Sequence, residues 1–353
     1  MIGSASHLAE GPVTLNARIF PFGLSPLTKC DAPQGNPMLE VLEVGGFATI
    51  QDAGRTGWRR FGVPSAGPMD ALAFEAANLL LGNPVNAAAL EIGAGEITLR
   101  ALYDCVIAVT GIGYELSVNM WDFQLWSSCF VRGGWTIQLQ KNSFGIWAYL
   151  AIAGGFDLAP VLGSRSTYLR GHFGGFDGRL LQAGDELQSA MPAHLLMESA
   201  ARALTEEARP AYRESPVVDI IPGPQSEAFD HESLETFLAS PYRVSSSSDR
   251  MGYRLEGPPL KHSRSADLTS EGMIMGSIQV PADGQPIVMM ADCATTGGYP
   301  KIASVIRADM PLLAQCTPGK DEVRFRLTTV EAAQEKYRGL MTRLKAGIVE
   351  AEA

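Results

Sequence analysis

From Leu39 the apolar residues alternate with polar ones through Val44, the signature of a half-buried strand. A second β-type run, Phe47 to Gln51, follows. Leu72, Ala76, Leu79 and Leu80 then recur at helical spacing, with Ser65-Ala-Gly-Pro-Met-Asp70 in front and Gly82-Asn-Pro84 behind. That predicts one helix, capped by the serine or glycine, with Pro68 at its first position and Asp70 near the positive end of its dipole. Between Ala88 and Ala153 the apolar positions fall into short runs at 90–92, 97–99, 106–109, 116–118, 136–139 and 147–152, punctuated by turn residues as in a barrel or sandwich.

A second series begins at Pro216, with strands at 217–221, 242–244, 272–280, 287–290 and 323–327 and a short helix at 227–238. Thr328-Thr-Val-Glu331 reads as a capping box opening a C-terminal helix with few apolar residues. The two series echo each other. Ser65–Asp70 resembles Ser247-Ser-Asp-Arg-Met-Gly252, and Leu150-Ala-Ile-Ala with its glycine loop resembles Met289-Met-Ala-Asp with its own. The expected organisation is a loose tail (1–37), a first β domain (38–190), a linker (191–215), a second β domain (216–328) and the helix (329–353). Met38 is read as the start of the folded part and of translation.

The stretch from Val288 to Arg307 carries the strongest chemical signal: an apolar strand, a turn on Gly297 and Gly298, and a second apolar run. Asp292, Thr295, Thr296, Tyr299 and Lys301 sit in or beside that turn, where each costs stability unless it finds a partner. The plainer alternative is a solvated Asp292–Lys301 loop pair. Two further polar stretches qualify. Asp52–Arg60 contains glycines with Arg55, Arg59 and Arg60, which suit either an anion or local carboxylates, and the loop Leu162–Arg179 contains Arg165. If the halves are repeats, the loops near Arg165 and Lys301 meet at one shared cleft.

A net charge of -10 excludes a nucleic-acid partner, which demands a concentrated basic face. The 5 cysteines lack metal or disulfide spacing, which fits a reducing cytoplasm, and no apolar run reaches membrane-spanning length. No phosphate-loop motif, biotin-attachment site, Gly-x-Ser-x-Gly elbow or histidine ligand set occurs, so catalysis would rest on carboxylate, lysine, arginine and hydroxyl groups.

Segments spanning Met38 to Leu327 then resemble one family in order: Thr49-Ile-Gln-Asp-Ala-Gly-Arg55, Gly62-Val-Pro-Ser-Ala-Gly-Pro-Met-Asp70, Ala88-Ala-Leu-Glu91, Leu162-Gly-Ser-Arg-Ser-Thr167, Ser248-Asp-Arg-Met-Gly252 and Thr295-Thr-Gly-Gly-Tyr-Pro-Lys301. The family contains the C subunit of bacterial ATP-dependent 5-oxoprolinase, the KipA-type antagonists, and the carboxyltransferase part of urea carboxylase, also called allophanate hydrolase subunit 2. The resemblance implies a mainly β fold of two tandem cyclophilin-like barrels with a few short helices. It also implies a KipI-type partner, the B subunit of such a complex, beside a LamB/YcsF-type protein as its A subunit. The sequence departs from the family pattern at Cys293-Ala294, where Arg-Gln is usual.

Three functions stay open: opening of 5-oxo-L-proline to L-glutamate by an ATP-using complex, biotin-dependent carboxylation of urea or another amide, and non-catalytic capture of a KipI-type inhibitor. For the first, Asp292 and Lys301 are the expected catalytic pair, with Asp292 orienting Lys301 or moving a proton. Arg165, Arg250, Gln279, Thr295, Thr296, Tyr299 and the amides of Gly297 and Gly298 are the expected binding groups.

Overall fold

A computed structural model of the chain describes residues 37–189 and 199–350. Residues 1–36 of the expected tail and 190–198, where the expected linker begins, lie outside the described residues. The chain is mainly β, as the alternation predicts, and its second half closes into a barrel. The first half forms two sheets. A six-stranded sheet runs Glu186–Gln188, Pro37–Val44, Ile97–Ala101, Thr136–Lys141, Tyr114–Val118, Trp121–Phe123. A seven-stranded one runs Phe47–Gln51, Ala89–Gly93, Trp147–Ile152, Cys105–Gly111, Ser127–Val131, Arg202–Leu204, Ile348–Glu350. The barrel order is Val217–Pro222, Lys301–Val305, Ser277–Gln279, Ile287–Met289, Gly252–Glu256, Tyr242–Val244, Glu322–Leu327, with the last strand parallel to the first.

The strand Trp147–Ile152 explains how the halves fuse. Every residue in it is buried, because successive side chains serve opposite faces. Ala148, Leu150 and Ile152 enter the core between the two sheets, with Leu39, Ile92 and Ile107. Trp147, Tyr149 and Ala151 face helix α1 (Ala71–Leu80), and that core runs on without a break into the barrel through Val218, Tyr253, Val288 and Ile302. Strands buried on both sides read as continuous apolar runs, which is what this segment is.

Several boundaries differ from expectation for tertiary reasons. Helix α1 is capped by Asp70 itself, whose side chain accepts from the Ala73 amide. Ser65–Met69 stays outside the helix because the amides of Met69 and Asp70 are claimed by Glu91 and the Tyr149 hydroxyl. The strand expected at 272–280 is split into Glu271–Gly272 and Ser277–Gln279, and the barrel strand Gly252–Glu256 is not among the expected strands. The helix expected at 227–238 is a single 3-10 turn followed by α2 (His231–Ala239). An unexpected short helix, α3 (Met310–Ala314), has Pro311 in its first turn.

The described part of the expected linker is structured, since Arg202–Leu204 adds a strand to the first half's sheet. The C-terminal helix α4 spans Val330–Ala346 and is capped by Thr329, one residue later than the capping box placed it. It lies on its own chain, where Lys336 donates to Asp219 at 2.8 Å and reaches Asp309 at 2.6 Å. Ile348–Glu350 then pairs with Arg202–Leu204, so the end of the described chain returns to the first half.

Candidate functional site

The buried side chain of Arg250 bridges the two halves. Arg250 sits in a tight turn in which Asp249 accepts the Met251 amide at 2.8 Å, and it is only 6% exposed. Its Nε and Nη2 donate to the two oxygens of Asp292, both at 2.9 Å, a fork-on-fork pair. The Asp292 amide returns a bond to the Arg250 carbonyl at 2.8 Å. From the other side of the guanidinium, Nη1 donates to Glu91 and Nη2 to the carbonyl of Gly67 at 2.7 Å. Gly67 and Arg250 belong to the two segments that the internal repeat relates, and these segments are in contact.

Glu91 is fully buried on the strand Ala89–Gly93. Its second oxygen accepts from the Met69 amide and the Tyr149 hydroxyl, each at 2.7 Å. Burial pushes the Glu91 carboxyl up, and Arg250 draws it back. Burial alone would lower the Arg250 guanidinium, but the Glu91 and Asp292 carboxylates hold it above its ordinary value. A buried cation shared by two carboxylates is held in one geometry, because moving any member strands a charge.

A second cluster surrounds Lys301 at the start of the strand Lys301–Val305. The lysine is 5% exposed and its ammonium donates to Glu271 at 2.8 Å. Gln225 donates to the same carboxylate at 2.9 Å and accepts the Lys301 amide at 3.2 Å. Lys301 and Gln225 draw the Glu271 carboxyl below its usual range. The turn folds onto this cluster, since Thr296–Gly297 pairs with Glu271–Gly272 and Gln279 pairs with Lys301. A side chain at Gly297 would meet Met273 and the Gln279 amide oxygen at 3.0–3.1 Å, so glycine is what lets the turn approach. Leu268 bonds the Gly298 carbonyl, Met273 bonds that of Thr295, and Tyr299 stays exposed.

A cavity of about 490 Å³ opens between the halves, lined by Arg59, Ser65 and Phe74 from one and Ile274, Cys293 and Met310 from the other. Ala291 and Cys293, the neighbours of Asp292, are part of its wall. Arg59 crosses the junction to the carbonyls of Met273 and Ala294, the latter at 3.1 Å.

These positions change the expected roles. Asp292 and Lys301 are both buried and not a solvated pair; Asp292 is oriented by Arg250 and Lys301 by Glu271. Neither Arg165 nor Lys301 lines the junction cavity, so the two loops do not meet there as expected. Ser164 and Ser166 turn inward to Asp52, at 2.5 and 2.7 Å, and the Arg165 amide joins them at 2.6 Å. The Arg165 side chain, alternating with theirs, turns to Leu158 and Asp157 of its own half. The Asp52–Arg60 segment holds no shared anion cradle, for Arg55 is buried over Phe173, Arg59 bridges the halves, and Arg60 stacks on Phe61. The sequence reading missed Glu91, Tyr149, Glu271, Gln225 and Arg59 as partners. A lone acid inside the apolar run Ala88–Ile92 was the available signal for Glu91.

Residues 61–327 match the family model described as the carboxyltransferase domain, subdomain A and B. The 5-oxoprolinase C subunit of Escherichia coli is 41% identical over 286 residues, covering 80% of this chain and 89% of that protein. The 5-oxoprolinase C subunit of Haemophilus influenzae is 39% identical over 310 residues, covering 85% and 94%. The crystal structure of the K. lactis urea amidolyase is similar with a TM-score of 0.83 at 30% identity, over 90% of this chain but only 20% of that one. By the match over most of its length and by these relatives, the chain belongs to the carboxyltransferase-domain family, subdomain A and B.

Proposed function

We propose that the chain is a subunit of an ATP-dependent 5-oxoprolinase that opens 5-oxo-L-proline to L-glutamate, active with a KipI-type partner and a LamB/YcsF-type protein in the cytoplasm. The observation that carries this reading is the near end-to-end likeness to two bacterial 5-oxoprolinase C subunits. In the reaction water adds to the lactam carbonyl carbon, the ring C–N bond breaks, and the nitrogen leaves as the amine of glutamate. A resonance-stabilised amide resists this, so the γ-phosphoryl group of ATP first moves to the lactam oxygen, leaving ADP, and the acyl phosphate that ring opening then produces is hydrolysed by a second water to glutamate and inorganic phosphate.

The chain's part is to hold and polarise the lactam. Lys301 is the cation for the lactam oxygen, with the half-exposed Glu271 as the partner a substrate displaces. Asp292 is the proton acceptor, held in register by Arg250, while Gln279, Thr295, Thr296, Tyr299 and the Gly297–Gly298 backbone frame the substrate. Arg250 acts by positioning, and Arg165 has no binding role in this scheme. ATP is used by the assembled complex. The test is glutamate formation from 5-oxoproline and ATP by that complex without biotin.

A second reading is favoured by the family description and by the likeness to a urea amidolyase: transfer of a carboxyl group from biotin to an amide, with biotin on another protein. Avidin separates the two, since it blocks biotin-dependent transfer and leaves lactam opening untouched.

A further inference from the structure

We infer that Glu91 is a positioning residue for the chemistry at Asp292, acting across the junction through Arg250. This rests on the reading of Asp292 as a reacting group. Glu91 lies 159 positions from Arg250 and has no exposure. Both of its oxygens are committed. One accepts from Arg250, and the other collects the Met69 amide and the Tyr149 hydroxyl at 2.7 Å. Tyr149 is fixed in turn, for its oxygen accepts the Asp70 amide at 2.8 Å. The chain of contacts runs from the start of α1 through Tyr149, Glu91 and Arg250 to Asp292, with no exposed member.

The other first-half partners of Glu91 and Arg250 are rigid. Met69 and Gly67 contribute backbone groups, and Tyr149 is on a strand buried on both faces. Glu91 therefore transmits the position of the first half to Asp292, and the fork-on-fork pair leaves Asp292 one orientation. An amide at position 91 cannot reproduce this. Its oxygen can face Arg250 or face Met69 and Tyr149, and its NH2 then confronts donors on the other side.

The test uses Glu91→Gln and Glu91→Asp in the full chain. Crystal structures of the variants read the geometry without any assay, and kcat and KM for 5-oxoproline are measured in the assembled complex. The inference expects Glu91→Gln to separate Arg250 from Asp292 and to lower kcat by about 100-fold, as a misplaced reacting group does, while KM stays within about threefold. Glu91→Asp, which keeps the charge, should recover a large part of kcat. Should Glu91→Gln not fold, Glu91→Asp decides by its shorter reach: an Arg250–Asp292 pair lengthened from 2.9 Å, with kcat lowered by about threefold to tenfold and KM steady, supports the inference, and a wild-type pair with wild-type kcat overturns it. An undisturbed 2.9 Å pair in the variants, or a loss confined to KM, overturns it. If the wild-type complex makes no glutamate, the functional reading fails, and the crystal structures still decide whether Glu91 sets the Arg250–Asp292 pair.

Discussion

Glu91 on a first-half strand and Asp292 in a second-half turn are held by the same guanidinium, that of Arg250. One buried cation thus ties a carboxylate of each half to the other. Arg250→Met would leave two buried carboxylates without their counter-ion, at a cost of about 3–5 kcal/mol. Arg250→Lys restores a charge but not a fork, so it should recover only part of that. Urea unfolding of the two variants beside the wild type checks the order, and a Met variant as stable as the wild type would contradict it.

A second polar knot stabilises the same junction. Asp70 caps α1 through the Ala73 amide at 3.0 Å and accepts from Tyr212 at 2.6 Å and Gln315 at 2.9 Å. Gln315 also accepts the amides of Ile146 and Trp147, both at 2.9 Å. Asp70→Ala removes a cap and takes an acceptor from the half-buried Tyr212 hydroxyl and from the buried Gln315 amide, which keeps only the Trp147 carbonyl, for a loss of about 1–3 kcal/mol. Thermal unfolding should show it, with Tyr212→Phe costing less.

The docking of α4 makes stability depend on acid. Burial would push the Asp219 carboxyl up, but Arg326 at 2.7 Å and Lys336 at 2.8 Å hold it below its ordinary 3.8. A carboxyl depressed on folding contributes stability in full above its unfolded value and loses it as the pH falls through the folded one. Melting temperatures measured from pH 7 downward should therefore fall less steeply at the acid end for Asp219→Asn than for the wild type. Equal slopes would show that this group is not part of the acid response.

The legible part of the fold was the part that local pattern governs. Alternation revealed Leu39–Val44 and the unbroken apolar run revealed Trp147–Ile152. Gly252–Glu256 was hidden in a polar run because its outward residues face solvent on the barrel, and Trp121–Phe123 because three residues are too few to show a period. The cap of α1 was misplaced because Glu91 and Tyr149 hold the preceding amides, a contact local sequence cannot show. Asp292 and Lys301 stood out as polar residues beside buried strands, and Arg250 entered through the repeat and the family resemblance. Their partners did not, since Glu91 is 159 and Glu271 is 30 positions away from the cation each one binds. Arg165 was drawn in by the repeat, whereas its neighbours Ser164 and Ser166 are what point inward, to Asp52.

The most direct measurement is glutamate formed from 5-oxoproline and ATP by the assembled complex, with wild-type chain and with Lys301→Met, each with and without avidin. The account predicts turnover that ignores avidin and falls by about 100-fold in the variant, while the variant still assembles with its partners. Wild-type turnover blocked by avidin, or a Lys301→Met complex as fast as the wild type, would contradict it.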